Sequence, residues 1–104
     1  MRFDVYADTG GHYRWRLWSG SNKVAVSGES FASKYNAERA AGGLKAGAKT
    51  YAYSVFGSGS NWYWHAKAVN GEKVASGGES FVSQTNAQRA ADNVRDNAGS
   101  ATLP

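Results

Sequence analysis

The chain has 104 residues, 41% hydrophobic and 13% aromatic, which suits one packed domain better than two. The absence of cysteine excludes disulfides, thiolate metal sites and cysteine nucleophiles. No apolar stretch approaches the roughly 18 residues of a membrane span. The first residues lack the apolar core of a secretion signal, so we expect a soluble cytoplasmic protein without membrane contact.

The formal net charge is +4, and the whole excess lies in the first half of the chain. Residues 1–50 hold eight basic and four acidic side chains, whereas residues 51–104 hold four of each. A modest positive field favours anionic partners, such as nucleic acid or an acidic protein.

The elements predicted for the first half are three strands and a helix. Alternating apolar positions predict strands over residues 2–7, 13–18 and about 23–27, with glycine-containing turns between them. Ser33 is the predicted N-cap of the helix that follows. Its apolar stripe has helical spacing and consists of Ala37, Ala40, Ala41, Leu44 and Ala48.

The second half repeats this pattern. Residues 23–45 and 73–95 are identical at 13 of 23 positions without a gap, and the register continues upstream with one-residue shifts that fall in turns. We therefore predict a tandem duplication, with repeat 1 at about 1–49, repeat 2 at about 50–99, and a short C-terminal tail over 100–104. The Gly42-Gly43 pair makes the first helix the weaker of the two.

A single unit of about 50 residues buries too small a fraction of its surface to be stable alone. The predicted fold is therefore α+β and forms a single domain. Two βββα repeats share one antiparallel sheet with pseudo-two-fold symmetry, and both helices lie on one face of that sheet.

Several segments together resemble the YegP-like family of short repeats. They are Phe3-x-Val5-Tyr6, Gly11-x-Tyr13-Arg14-Trp15-Arg16-Leu17 and Ser27-Gly28-Glu29-Ser30-Phe31-x-Ser33-Lys34. The resemblance implies a β3α repeat that assembles into one sheet, with strands exchanged between copies. It implies no activity. The second copy departs from the pattern, because Trp64-His65-Ala66 replaces Trp15-Arg16-Leu17.

Residue types suited to catalysis are sparse. The two histidines, His12 in a predicted turn and His65 in a strand, have no counterparts in the other copy, and surface roles suit both. No metal-ligand spacing and no phosphate-binding loop occurs, so we predict no metal, no cofactor and no enzymatic activity. Glu29 and Glu79 would form a catalytic carboxylate pair only if they were close together and buried.

Strand alternation predicts that one sheet face is free of helices and rich in aromatic and basic side chains. If Phe3, Val5, Trp15, Leu17, Trp62, Trp64 and Ala66 face the helices, their neighbours face away. Those neighbours are Tyr6, Arg14, Arg16, Trp18, Phe56, Tyr63, His65 and Lys67. Single-stranded nucleic acid binders use this mixture, and so do protein interfaces, while ordinary cross-strand pairs could also explain it.

One motif recurs unchanged in both copies. It comprises Gly28, Glu29, Ser30 and Phe31 in the first and Gly78, Glu79, Ser80 and Phe81 in the second. A structural role is favoured, in which each phenylalanine plugs the core and each glutamate accepts backbone amides. The alternative is a pair of anion sites at the helix N-termini, which a glutamate would disfavour.

The sequence therefore predicts a non-catalytic binding module, monomeric or homodimeric, that uses this face with Arg14, Arg16 and Trp18 dominant. Nucleic acid is the leading partner, and a protein partner or self-association is the alternative. An enzyme acting on a small anionic substrate is the third option. Salt dependence separates the first two, because phosphate contacts weaken steeply with salt.

Overall fold

The computed structural model describes all residues from 1 to 104 and contains six strands and two main helices. The strands are β1 (Arg2–Ala7), β2 (Tyr13–Ser19), β3 (Asn22–Ser27), β4 (Ala52–Ser58), β5 (Asn61–Lys67) and β6 (Lys73–Ser76). The helices are α1 (Lys34–Gly47) and α2 (Gln84–Asn97), and a short 3-10 helix follows at Ala98–Ser100. The predicted α+β class is confirmed.

All six strands form one antiparallel sheet, as predicted, and their order in it is β1-β2-β3-β6-β5-β4. Helix α1 packs on β1 and β2, and α2 packs on β4 and β5. Each helix therefore covers mainly strands from its own half of the chain, and α2 also contacts β3 of the other half. The strand exchange that the resemblance implied does not occur, because each half forms its own three-stranded meander.

The two halves meet in a very short ladder at the centre of the sheet. Val26 lies opposite Ser76, and Ser27 lies opposite Ala75. One further backbone hydrogen bond extends this ladder, from Gly28 N to Val74 O at 3.1 Å. Beyond these residues, β3 and β6 separate, because the segment after each strand leaves the sheet towards the helix that follows.

The core lies between the helices and the inner face of the sheet. Its largest fully buried side chains are Trp15, Trp64, Leu17, Leu44 and Val94. Small residues such as Ala41 and Ala91, both fully buried, let the helices lie close to the strands. Trp62, expected to face the helices, stays outside this core, and its Nε1 donates to Gly59 O in the hairpin turn at 2.9 Å.

Both helices begin where the sequence predicts. The Ser33 hydroxyl accepts from Asn36 N at 3.0 Å, and the Ser83 hydroxyl accepts from Asn86 N at 3.1 Å. Helix α1 continues without a break through Gly42-Gly43.

The last residues of the chain do not form a free tail. Ala101 is buried in the core, and Thr102 pairs in parallel with Arg2 at the edge of β1. Thr102 N donates to Met1 O at 3.0 Å, and Phe3 N donates to Thr102 O at 2.9 Å. The segment lacks strand periodicity, but its alanine fits beneath the helices and its backbone covers the edge of β1.

Removing residues 101–104 is expected to lower the free energy of unfolding by about 1–3 kcal/mol, because it deletes a buried side chain and three backbone hydrogen bonds. Urea unfolding measures this loss. A matched truncation that removes only Leu103 and Pro104 is expected to keep nearly full stability, since both residues are exposed. Equal stability of the two truncated chains would contradict a structural role for Ala101 and Thr102.

Candidate binding surface

The face of the sheet that carries no helix is called the outer face here. The strand register places all eight predicted surface residues on it. Tyr6 pairs with Arg14, and Phe56 pairs with Tyr63. One row crosses the whole sheet and consists of Asp4, Arg16, Val26, Ser76, His65 and Ser54. The predicted residues thus share one face but fall into two clusters on either side of its centre.

The first-half cluster is built around Arg16. Its guanidinium donates two hydrogen bonds to Asp4, at 2.9 and 3.1 Å, and lies 4.0 Å from the centre of the Tyr6 ring. Trp18 lies on its other side, 5.4 Å from the Arg16 guanidinium carbon, and donates from Nε1 to the same carboxylate at 3.2 Å. Arg16 and Trp18 are therefore already engaged within the protein.

Acidic residues neutralise the arginines of this cluster. Partial burial would raise the pKa of Asp4, but hydrogen bonds from Arg16 and Trp18 and the charges of Arg16 and Arg2 outweigh it and lower that pKa. Arg14 forms a second ion pair with Asp8 at 3.5 Å. The cross-strand pairing considered from the sequence is thus present, and it reduces the charge that these arginines offer to a partner.

The second-half cluster has more accessible aromatic rings. Phe56 and Tyr63 are exposed at 46% and 40%, and their rings stack with centroids 5.7 Å apart and planes inclined by 24°. His65 lies on the other side of Phe56, with 5.0 Å between ring centroids. The three rings form a continuous aromatic surface that is open to solvent on one side.

Lysines flank this aromatic surface without acidic partners. Lys67 lies opposite Lys73 across β5 and β6, and neither forms an ion pair. Partial burial, followed by the charges of Lys67 and Lys73, lowers the pKa of His65 below 6.5. Lys73 was missed among the site residues because period-two alternation along β6 gives it the parity of buried Ala75, and only the register shift between Ala66 and Lys67 brings it opposite Lys67.

A groove of about 330 Å³ adjoins the second-half cluster and is lined by Phe56, Tyr63, Trp64, His65 and Lys73 among others. The indole Nε1 of Trp64 is buried and has no hydrogen-bond acceptor. It lies against Gly77, where a Cβ would come within 2.6 Å of Nε1 and 3.0 Å of Cδ1. The chain can therefore pass over the indole only with glycine at this position.

Gly77→Ala is expected to lower stability by about 1–3 kcal/mol, because a buried tryptophan cannot move aside. Thermal or urea unfolding reports the change. Gly43→Ala is the matched control: its Cβ would meet nothing within 4 Å, and the gain in helix propensity is expected to raise stability by roughly 1 kcal/mol. If Gly77→Ala were as stable as the parent, close packing over Trp64 would be ruled out.

The lowered pKa of His65 predicts a specific loss of stability in acid. Between the folded pKa and the unfolded value near 6.5, the unfolded chain binds more protons, so stability falls as the pH falls through this window. His65→Gln should remove this part of the pH dependence. Unfolding at pH 7.5 and 5.5 for both proteins measures it, and identical pH dependence would contradict the shift.

The recurring Gly-Glu-Ser-Phe motif joins each helix to its sheet. Phe31 exchanges two backbone hydrogen bonds with Tyr13, at 2.7 and 2.8 Å, and Phe81 does the same with Trp62. Both phenylalanine rings pack against the core, as expected. The expected hydrogen bonds from backbone amides to the glutamates are absent: both carboxylates are exposed and line different grooves, so they form no catalytic pair.

The structure holds no group of three or more side chains that could ligate a metal ion. None of its helices has the length and apolar character needed to cross a membrane. His12 lies exposed in the turn between β1 and β2, and its backbone amide donates to Asp8 Oδ1 at 3.0 Å.

Comparison with solved structures defines the class as a six-stranded antiparallel sheet covered by two helices. The NMR structure of yegP from E. coli, a protein of unknown function, has a TM-score of 0.76 at 20% identity and covers 97% of this chain and 88% of its own. The NMR structure of UPF0339 protein SO3888 from Shewanella oneidensis has a TM-score of 0.78 at 15% identity and covers 97% and 86%.

Sequence comparison supplies the family. UPF0339 protein NMB1088 from Neisseria meningitidis serogroup B is 40% identical over 45 residues, which are 43% of this chain and 80% of that protein. Residues 58–103 match a family described as a domain of unknown function, DUF1508. The chain belongs to this UPF0339 family of unknown function, which agrees with the resemblance drawn from its motifs.

Proposed function

We propose that this protein is a non-catalytic binding module whose outer face binds single-stranded nucleic acid, with the second-half cluster as the primary contact. The observation that carries the proposal is the stack of Phe56, Tyr63 and His65 beside two lysines without acidic partners. Aromatic rings offer faces on which bases stack, and lysines beside them follow the phosphates.

The charge pattern supports the second half over the first. Arg14 and Arg16, which dominate the sequence-based proposal, have their charges offset by Asp8 and Asp4. A phosphate would have to compete with these carboxylates, whereas Lys67 and Lys73 form no ion pair, although Glu79 lines the same groove as Lys73. Arg16 and Tyr6 then form a secondary contact surface, which lets the bound nucleic acid extend across the sheet to the first half.

The alternative is a protein partner or self-association through the same face. Exposed Phe56 and Tyr63 are residue types that anchor protein interfaces. The two proposals differ in the source of binding free energy, because an aromatic protein interface depends much less on salt than phosphate contacts do.

We further propose that the chain is a single domain that arose by tandem duplication, working as a monomer or homodimer in the cytoplasm. Two observations support the duplication. Val26 lies opposite Ser76, its own counterpart 50 residues later. In addition, the 45 matched residues make up 80% of the Neisseria relative, so that protein is about as long as one of the two proposed repeats.

Fluorescence anisotropy with a labelled single-stranded oligonucleotide tests the proposal. Phe56→Ala is expected to weaken binding roughly fivefold or more, since one base stack contributes about 1–3 kcal/mol. Tyr35→Ala is the control, because Tyr35 is an exposed aromatic residue on α1, away from the outer face. It is expected to leave the affinity unchanged.

A salt series on the same complex tests the role of the lysines. Lys67→Ala and Lys73→Ala should each reduce the slope of log affinity against log salt by roughly 0.7. Lys34→Ala, at the start of α1, is expected to leave the slope unchanged. Absence of salt-dependent binding would overturn the nucleic-acid proposal, and concentration-dependent association abolished by Phe56→Ala would support the protein interface instead.

A further inference from the structure

The recurring sequence motifs converge on two grooves that lie between the halves of the chain. One groove is lined by Lys23, Val24, Glu79, Phe81 and Ala90 together with other residues. The second is lined by their counterparts 50 residues away, Lys73, Val74, Glu29, Phe31 and Ala40. Each groove thus combines the start of the third strand of one half with the motif and helix of the other.

Fold constraints account for only part of this recurrence. The phenylalanines pack against the core, and the valines and alanines are partly buried. Lys23 and Glu79 are exposed, form no ion pair and make no hydrogen bond through their side chains. Neither packing nor pairing in the folded chain explains why a lysine and a glutamate recur here.

The two grooves differ in volume. The groove beside Lys23 has a volume of about 470 Å³, and the groove beside Lys73 about 170 Å³. The narrow groove is closed by the hydrogen bond from Gly28 N to Val74 O, whereas Gly78 N makes no corresponding bond to Val24 O. We call the larger one the open groove.

The difference has a steric origin in the central ladder. A Cβ on Gly78 would lie only 3.2 and 3.3 Å from the two methyl groups of Val26, so the valine side chain already lies against this glycine. The counterpart of Val26 is Ser76, whose side chain is smaller. Val26 therefore holds the 78–81 segment away from β3, and the hydrogen bond from Gly78 N to Val24 O does not form.

We propose that the open groove binds a free amino acid with an apolar side chain. A carboxylate of the ligand pairs with the Lys23 ammonium, and a ligand ammonium pairs with the Glu79 carboxylate and the Val24 carbonyl. The apolar side chain lies on Phe81 and Ala90. A volume of about 470 Å³ falls within the range of small-ligand sites.

Opposite charges on the two walls select a zwitterion over a simple ion. A simple anion would be repelled by Glu79, and a simple cation by Lys23. A ligand that carries both charges pairs with both Lys23 and Glu79. Removing either charge from the ligand leaves one of these two side chains without a partner. The inference does not rest on nucleic-acid binding by the outer face, although the open groove shares Trp18 with the first-half cluster and Glu79 with the groove beside the second-half cluster.

Three ligands with the same branched apolar side chain test the inference in titrations followed by amide chemical shifts. They are L-leucine, 4-methylpentanoate, which lacks the ammonium, and 3-methylbutan-1-amine, which lacks the carboxylate. L-leucine is expected to shift the amides of residues 22–24 and 78–81 and to bind about tenfold tighter than either analogue, as expected for one charge-assisted contact.

Matched variants locate the site. Glu79→Gln and Lys23→Gln should each weaken L-leucine binding about tenfold. Glu29→Gln and Lys73→Gln make the same changes at the narrow groove and should leave affinity within about twofold. Thermal unfolding of all four variants verifies that each is folded. The inference is overturned by equal binding of the three ligands, by equal effects at both grooves, or by no saturable shift up to about 10 mM L-leucine.

Discussion

The short ladder between β3 and β6 is the constraint on which the rest of the structure depends. Two residue pairs and one added hydrogen bond join the halves, while α1 packs on β1 and β2, and α2 packs mainly on β4 and β5 with a smaller contact to β3. Because neither half buries much surface alone, the shared core and this ladder must supply the missing stability. Ala25 and Ala75, both fully buried, let the helices approach closely at this seam.

Other parts of the chain reinforce that junction from outside the ladder. The Tyr53 hydroxyl, on β4, donates to Ala48 O at the end of α1, at 2.8 Å. Burial is the main cause that raises the pKa of this phenol to about 12, so it stays protonated as a donor. At the far edge, Thr102 returns from the second half to pair beside β1. These contacts connect one half to the other at both ends of the sheet.

Local patterns in the sequence predict much of this fold. Period-two alternation placed Arg16 and Tyr63 on the outer face, and the positions of Ser33 and Ser83 located both helix starts, because these signals depend on neighbouring residues only. Trp62 shows the limit of such patterns: its inward parity is correct for the strand, but the hairpin end where it lies extends beyond the helix-covered core.

The candidate site was harder to predict because cross-strand neighbours depend on register. Asp4 offsets Arg16 only because β1 and β2 align with these two residues opposite each other. The formal charge therefore indicated the first half, whereas Lys67 and Lys73, which flank the second-half cluster and form no ion pair, lie in the second. Likewise, the C-terminal segment that contains Ala101 and Thr102 is too short to show the alternation of a strand, although Thr102 pairs with Arg2 of β1.

The seam also explains how a motif with a structural role comes to line a groove. Phe31 and Phe81 attach each helix to a strand through two backbone hydrogen bonds, and this requires the chain to leave the sheet after the third strand. That departure shortens the central ladder and opens a groove on each side of it. A single side-chain difference, Val26 against Ser76, then separates an open groove from a narrow one. The two halves therefore differ at the seam: one keeps the close packing of the Gly28–Val74 hydrogen bond, and the other leaves a larger groove.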